Sequence, residues 1–106
     1  MVMAVKNIFA DHGEPGDREH FATLFENSAG KVERIVSYSH SSPPGFWYDQ
    51  AEDEWVMIVR GSAALEFAGG EIVEMTEGDY LLIPRHTRHR VARTSETTIW
   101  LAIHLK

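Results

Sequence analysis

From Lys31 onward the chain alternates, with Val32, Arg34, Val36 and Tyr38 set against Glu33, Ile35 and Ser37. This is the two-residue period of a strand. Ser28-Ala29-Gly30 just before it is turn chemistry. Residues 18–27 fit two periods: Phe21, Leu24 and Phe25 have helical spacing, whereas Phe21, Thr23 and Phe25 share one face of a strand. The turn favours the strand, which would close a hairpin with residues 31–38. Beyond Glu54 the periods stay short and turn signals recur. Strands are expected over 54–59, 63–67, 71–75, 80–83, 88–93 and 97–105, separated by Arg60-Gly61, Ala68-Gly69-Gly70, Glu77-Gly78-Asp79, Pro84 and Thr94-Ser95-Glu96. No window offers three turns of amphipathic helix, and strands with such short connections run antiparallel. An all-β fold follows, closed on itself so that few strand edges are left exposed.

Ahead of these strands, Asp11-His12-Gly13-Glu14-Pro15-Gly16-Asp17 is a loop composition. Residues 1–17 are therefore expected to form an N-terminal arm and loop, with residues 31–106 as the barrel core. At 106 residues there is sequence for one core and not for two, so a single domain over 1–106 is expected. With 43% hydrophobic and 25% charged residues the composition is that of a packed globular chain. Sixteen acidic against ten basic side chains give a net charge of -6, which argues against a nucleic-acid partner. Cysteine is absent, which removes disulfides, thiolate metal sites and thiol nucleophiles. The opening residues lack the apolar stretch of a signal peptide, so the cytoplasm is the expected location. No segment approaches the roughly 20 apolar residues of a membrane span, so no membrane partner is expected.

Two stretches carry candidate chemistry: residues 45–61, Gly-Phe-Trp-Tyr-Asp-Gln-Ala-Glu-Asp-Glu-Trp-Val-Met-Ile-Val-Arg-Gly, and residues 78–89, Gly-Asp-Tyr-Leu-Leu-Ile-Pro-Arg-His-Thr-Arg-His. In them the chain resembles the cupin family. The first cupin motif has a His-x-His pair, a Glu three or four residues later and a Gly beyond it. The second has Gly, five residues, Pro, one residue, Gly, two residues, His. Glu54 stands seven positions before Gly61, Gly78 six before Pro84 and His89 five after Pro84. The resemblance covers about residues 45–91 and implies an antiparallel double-stranded β-helix, or jelly-roll barrel, with its site inside. It places Glu54 and His89 on the family's ligand positions, as candidate metal ligands or as catalytic base and proton donor.

The sequence also departs from the family pattern. Tyr48 and Gln50, or at the wider spacing Trp47 and Asp49, stand where the paired histidines belong, and His86 replaces the second motif's Gly. His86 suggests a different turn after Pro84. Divalent iron, manganese, nickel or zinc would take Glu54 and His89 with Asp49 or Gln50 as oxygen donors, and Tyr48, His86 and His104 are the other candidates for a third ligand. Without a metal, Glu54 and His89 are a hydrogen-bonded interior carboxylate and imidazole. Tyr48, Trp47, Tyr80 and His86 are candidates to line a small-molecule or cofactor pocket, although aromatics more often serve as core. Trp55 should point away from Glu54, and Trp55 or Trp100 could supply a homodimer contact. Residues 41–45, Ser-Ser-Pro-Pro-Gly, suit a stiff connection or a flap. Arg88 and Arg90 should lie outside, paired with carboxylates, and His12, His20 and His40 are given no role. No nucleophile elbow or phosphate-binding glycine pattern appears. The expected function is small-molecule binding inside the barrel, either as a metal-dependent oxygenase or isomerase or as a non-catalytic ligand-binding or regulatory module lacking a metal.

Overall fold

In the computed structural model, which describes residues 1–106, eight strands form and no helix. They are β1 (His20–Asn27), β2 (Gly30–Ser37), β3 (Asp53–Arg60), β4 (Ser62–Phe67), β5 (Ile72–Thr76), β6 (Tyr80–Ile83), β7 (His89–Thr94) and β8 (Thr98–Leu105). Five strands make one sheet in the order β1-β2-β8-β3-β6, and three make a second in the order β5-β4-β7. Every pairing is antiparallel. The sheets face each other across an apolar layer in which Val56, Ile58, Ala63, Leu65, Met75, Ile83 and Trp100 are buried. Their inward faces follow the alternation: Glu54, Val56 and Ile58 on β3, and Thr98, Trp100, Ala102 and His104 on β8, are all buried.

The stiff connection ahead of β3 completes the smaller sheet. Ser42 N–H donates to the Val91 carbonyl at 2.8 Å and Val91 N–H to the Ser42 hydroxyl at 3.0 Å. Farther along, Tyr48 and His89 form an isolated bridge, with N–H···O distances of 2.7 and 3.1 Å. Residues 42–48 thus run beside β7 like a broken fourth strand, and this sets Tyr48 over His89.

The strand reading of residues 18–27 holds, since β1 pairs along β2 as the expected hairpin and extends the sheet ahead of residue 31. A register shift between Thr23 and Phe25 divides the face on which Phe21, Thr23 and Phe25 were expected to lie together. Phe21 stands opposite Ile35, whereas Phe25 stands opposite Val32. Strand β2 is covered on both faces: Val36 is fully buried on the side opposite Ile35. There Arg34 donates to the carbonyls of Ile8 at 3.1 Å, Ala10 at 2.7 Å and Asp11 at 3.1 Å, and Arg60 lies over the Phe9 ring at 4.7 Å. The histidines given no role hold the next loop. His20 Nε2 donates to the Glu14 carbonyl and His40 Nε2 to the Gly16 carbonyl, each at 2.8 Å, while His12 Nδ1 meets the Tyr38 hydroxyl at 2.6 Å.

Gly61 turns the chain from β3 in one sheet to β4 in the other at φ 84°, where a Cβ would collide with the Thr97 carbonyl and the Ser95 hydroxyl. No helix is long and apolar enough to cross a membrane.

Candidate functional site

Between the two sheets lies a cavity of about 80 Å³, several times what one water requires. Its walls are mainly apolar, with Ile35, Val56, Leu65, Ile83, Val91 and Trp100 among them, and polar groups converge on it from both sheets. Glu54 on β3 and His104 on β8 are direct cross-strand partners on the inward face. His89 arrives from β7 in the opposite sheet, and its Nε2 stands 3.7 Å from Glu54 Oε1. His89 Nδ1 donates to the Thr87 carbonyl at 2.7 Å. That bond orients the ring and turns Nε2 toward Glu54. Tyr48 stacks on the His89 ring at 5.4 Å between centroids. Glu54 and His89 are 8% and 4% exposed.

A second imidazole–carboxylate pair lines the same cavity. His104 Nε2 lies 3.2 Å from Glu33 Oε1 on β2, and Lys31 Nζ lies 3.5 Å from the other Glu33 oxygen. Glu19, just ahead of β1, accepts a bond from the Ser37 hydroxyl, which in turn accepts one from Trp100 Nε1 at 3.2 Å. The buried Gln50 Oε1 has no partner.

These contacts shift the titration of four groups. The bond to Glu33 raises His104 above the ordinary imidazole value; burial opposes this and is outweighed. Burial by itself would lower His89, but the facing Glu54 carboxylate and the Thr87 carbonyl more than offset it, and the net shift is upward. At 3.7 Å the contact with Glu54 is longer than a hydrogen bond and is an ion pair when His89 is protonated. Glu33 is lowered, first by its bond to His104 and also by Lys31. Tyr48 is raised by burial and by the charges of Glu19, Glu54 and Glu33.

This donor set does not suit a divalent metal. No group of three or more His, Asp or Glu side chains is arranged to hold an ion. Of the candidate set Glu54, His89, Asp49 and Gln50, one imidazole, one carboxylate and one amide line the cavity together. Asp49 does not join them: it is exposed and bound to His86 Nδ1 at 2.9 Å. With Tyr48 and Gln50 at the paired-histidine positions, a phenol and a carboxamide stand where first-row metals favour imidazole. His104, the other imidazole at the cavity, is engaged by Glu33.

Several candidate pocket residues lie elsewhere. His86 is exposed at the surface with Asp49. Its φ of 61° is the left-handed region that a glycine would take, so the turn after Pro84 keeps the glycine-type conformation instead of changing. Trp47 packs outside the cavity beneath the Arg88 guanidinium, 5.6 Å away. Tyr80 is 67% exposed and lies 5.4 Å from Trp55 on the outer side of β3 and β6, because alternation points both away from Glu54 and Ile83. Trp100, 4% exposed, is a cavity wall and is not available for a subunit contact. Arg90 pairs with Glu66 at 3.0 Å and Arg93 with Glu74.

Sequence reasoning missed Glu33 and Glu19. Glu33 shares its face with Ile35 and Ser37, but β2 buries both faces, so alternation could not say which one looks inward.

The cupin domain model matches residues 38–104. Among solved structures, a protein from Ralstonia eutropha JMP134 named as a candidate mannose-6-phosphate isomerase is similar at 47% identity with TM-score 0.92, over 98% of this chain and 99% of that one. A cupin superfamily protein from Desulfitobacterium hafniense DCB-2 is similar at 16% identity with TM-score 0.76, over 88% of this chain and 82% of the other. An RmlC-like cupin with a double-stranded β-helix fold from Methanocaldococcus jannaschii is similar at 13% identity with TM-score 0.74, over 99% and 92%. No curated protein matches the chain. A family match across most of the length, on two antiparallel sheets closed around a cavity, means that this chain belongs to the cupin family.

Proposed function

We propose that the cavity binds a small hydroxylated carbonyl compound and isomerises it by proton transfer between Glu54 and His89. One observation carries the assignment: two imidazole–carboxylate pairs, Glu54–His89 at 3.7 Å and Glu33–His104 at 3.2 Å, line a single largely apolar cavity. Apolar walls strengthen each charge interaction, and a carboxylate beside a protonated imidazole supplies a base and an acid together. The name borne by the Ralstonia relative supports the isomerase class.

In the forward step the C–H bond beside the carbonyl breaks and its proton goes to Glu54, while His89 Nε2 gives a proton to the carbonyl oxygen, leaving an enediol. In the second step Glu54 returns its proton to the former carbonyl carbon, and the neighbouring hydroxyl returns one to His89 as the new carbonyl forms. The net change is isomerisation, with both side chains restored and no co-reactant consumed. Glu33–His104, beside Glu54 across the strand pair, orients the substrate hydroxyls, and the unpartnered Gln50 oxygen accepts from one of them. We further propose that the protein is a homodimer formed through Trp55, Leu82 and Tyr80, an apolar outer group in which Leu82 is 54% and Tyr80 67% exposed.

Proton exchange tests the isomerase directly. D-mannose and its 6-phosphate are incubated with the protein in deuterium oxide, and deuterium at the carbon beside the carbonyl is read by NMR. Exchange is expected with at least one substrate, and Glu54→Gln or His89→Gln should slow it by about 10²–10⁴-fold with circular dichroism unchanged. Binding without exchange would make the protein a ligand-binding module. Exchange that survives both substitutions would remove these residues from the chemistry.

A further inference from the structure

Resting on the isomerase assignment above, we infer that the cavity selects an uncharged substrate and rejects phosphate esters. Three carboxyl groups line it, those of Glu19, Glu33 and Glu54, and no lysine or arginine does. Its basic groups are His89 and His104, each set against one of those carboxylates. Glu19 is left with only the Ser37 hydroxyl, a neutral donor.

The surrounding cations do not line the cavity and already have partners. Lys31 reaches only as far as Glu33, at 3.5 Å, and Arg34, in the same strand, points to the other face, where it binds the carbonyls of Ile8, Ala10 and Asp11. Arg90 is held by Glu66 and by the Ser42 carbonyl. Phosphate sites commonly depend on arginine or lysine, and neither lines the cavity. Among the lining residues Phe21 is 57% exposed and Glu19 half-buried, side by side at the start of β1, so a substituent trailing outward past them would meet a carboxylate. The negative field also reaches Tyr48, whose hydroxyl is raised above its ordinary value by burial and then by the charges of Glu19, Glu54 and Glu33.

Hydroxyls, by contrast, find acceptors in three carboxylates and the Gln50 oxygen, with the Trp100 and Tyr48 rings for the apolar face of the ligand. An unphosphorylated sugar or a similar polyol carbonyl meets every polar group present.

Titration calorimetry with D-mannose, D-mannose 6-phosphate and 6-O-methyl-D-mannose tests the inference, the methyl ether supplying bulk at the same position without charge. The free sugar and its methyl ether are expected to bind alike, and the phosphate at least about tenfold more weakly. Glu19→Gln and Glu33→Gln, each removing one negative charge, should narrow that gap. A phosphate ester that binds as well as or better than the free sugar would overturn charge selection and leave the isomerase assignment standing. A methyl ether excluded as strongly as the phosphate, or a gap unmoved by both substitutions, would also overturn it by assigning the discrimination to shape. If none of the three ligands binds, the isomerase assignment fails and charge selection fails with it.

Discussion

His86 holds a backbone conformation that suits glycine better than any side chain, with φ at 61°. Left-handed backbone costs a side-chain-bearing residue roughly 1–2 kcal/mol. At this site the only compensation is an exposed contact with Asp49 at 2.9 Å, and exposed pairs contribute little. His86→Gly should therefore raise stability, by up to about 1 kcal/mol after the entropy cost of glycine. Urea denaturation of the two proteins measures it, and a clear loss of stability would show that the Asp49 contact outweighs the backbone strain. Gly61 is the reverse case. Its φ of 84° and the approach of Thr97 and Ser95 leave no room for a methyl group, so Gly61→Ala should cost at least about 1–2 kcal/mol by the same assay. Both positions fall in recognised motif frames. The glycine could be read from sequence, but the persistence of its conformation at His86 could not, because a histidine does not announce its φ.

Strands β2, β8 and β3 carry the row Lys31, His104, Glu54 in direct register, and Glu33 lies one inward position along β2. Pairing Glu33 with His104 links folding to pH. His104 is raised in the folded state, so its contribution is fully present below the ordinary value of 6.5 and is lost as pH rises through the folded value. Glu33 is lowered, so its contribution is present above the ordinary value of 4.5 and is lost as pH falls through the folded value. The pair stabilises most between pH 4.5 and 6.5. Thermal unfolding followed across pH should show that maximum in the parent and a flatter profile in Glu33→Gln, and matching profiles would deny the coupling. Most strand limits were legible because turn residues punctuate the chain at short intervals. The inward face of β2 was not, since one side carries the buried Val36 and an Arg34 bound to the N-terminal arm while the cavity takes Glu33 on the other.

For the whole molecule, closing two sheets over a cavity leaves the outer face of β3 and β6 uncovered, with Trp55, Leu82 and Tyr80 upon it. In the proposed homodimer two such faces meet. Sedimentation should give twice the chain mass, and Leu82→Glu should return it to the mass of one chain without unfolding; a parent protein that sediments as one chain at high concentration would disprove the dimer. Sequence by itself determined the all-β class, the strand order in the chain and the two motif frames. Each rests on local period and spacing, which a chain carries whether folded or not. It also put Glu54 and His89 in candidate positions, 35 residues apart in the chain. Only the tertiary structure decided which groups share the cavity. Closure of the barrel brings Glu33, Glu54, His89 and His104 together from four strands and leaves Asp49, His86, Trp47 and Tyr80 outside. Those outcomes depend on register between distant strands and on which side of each strand is covered, and packing settles both.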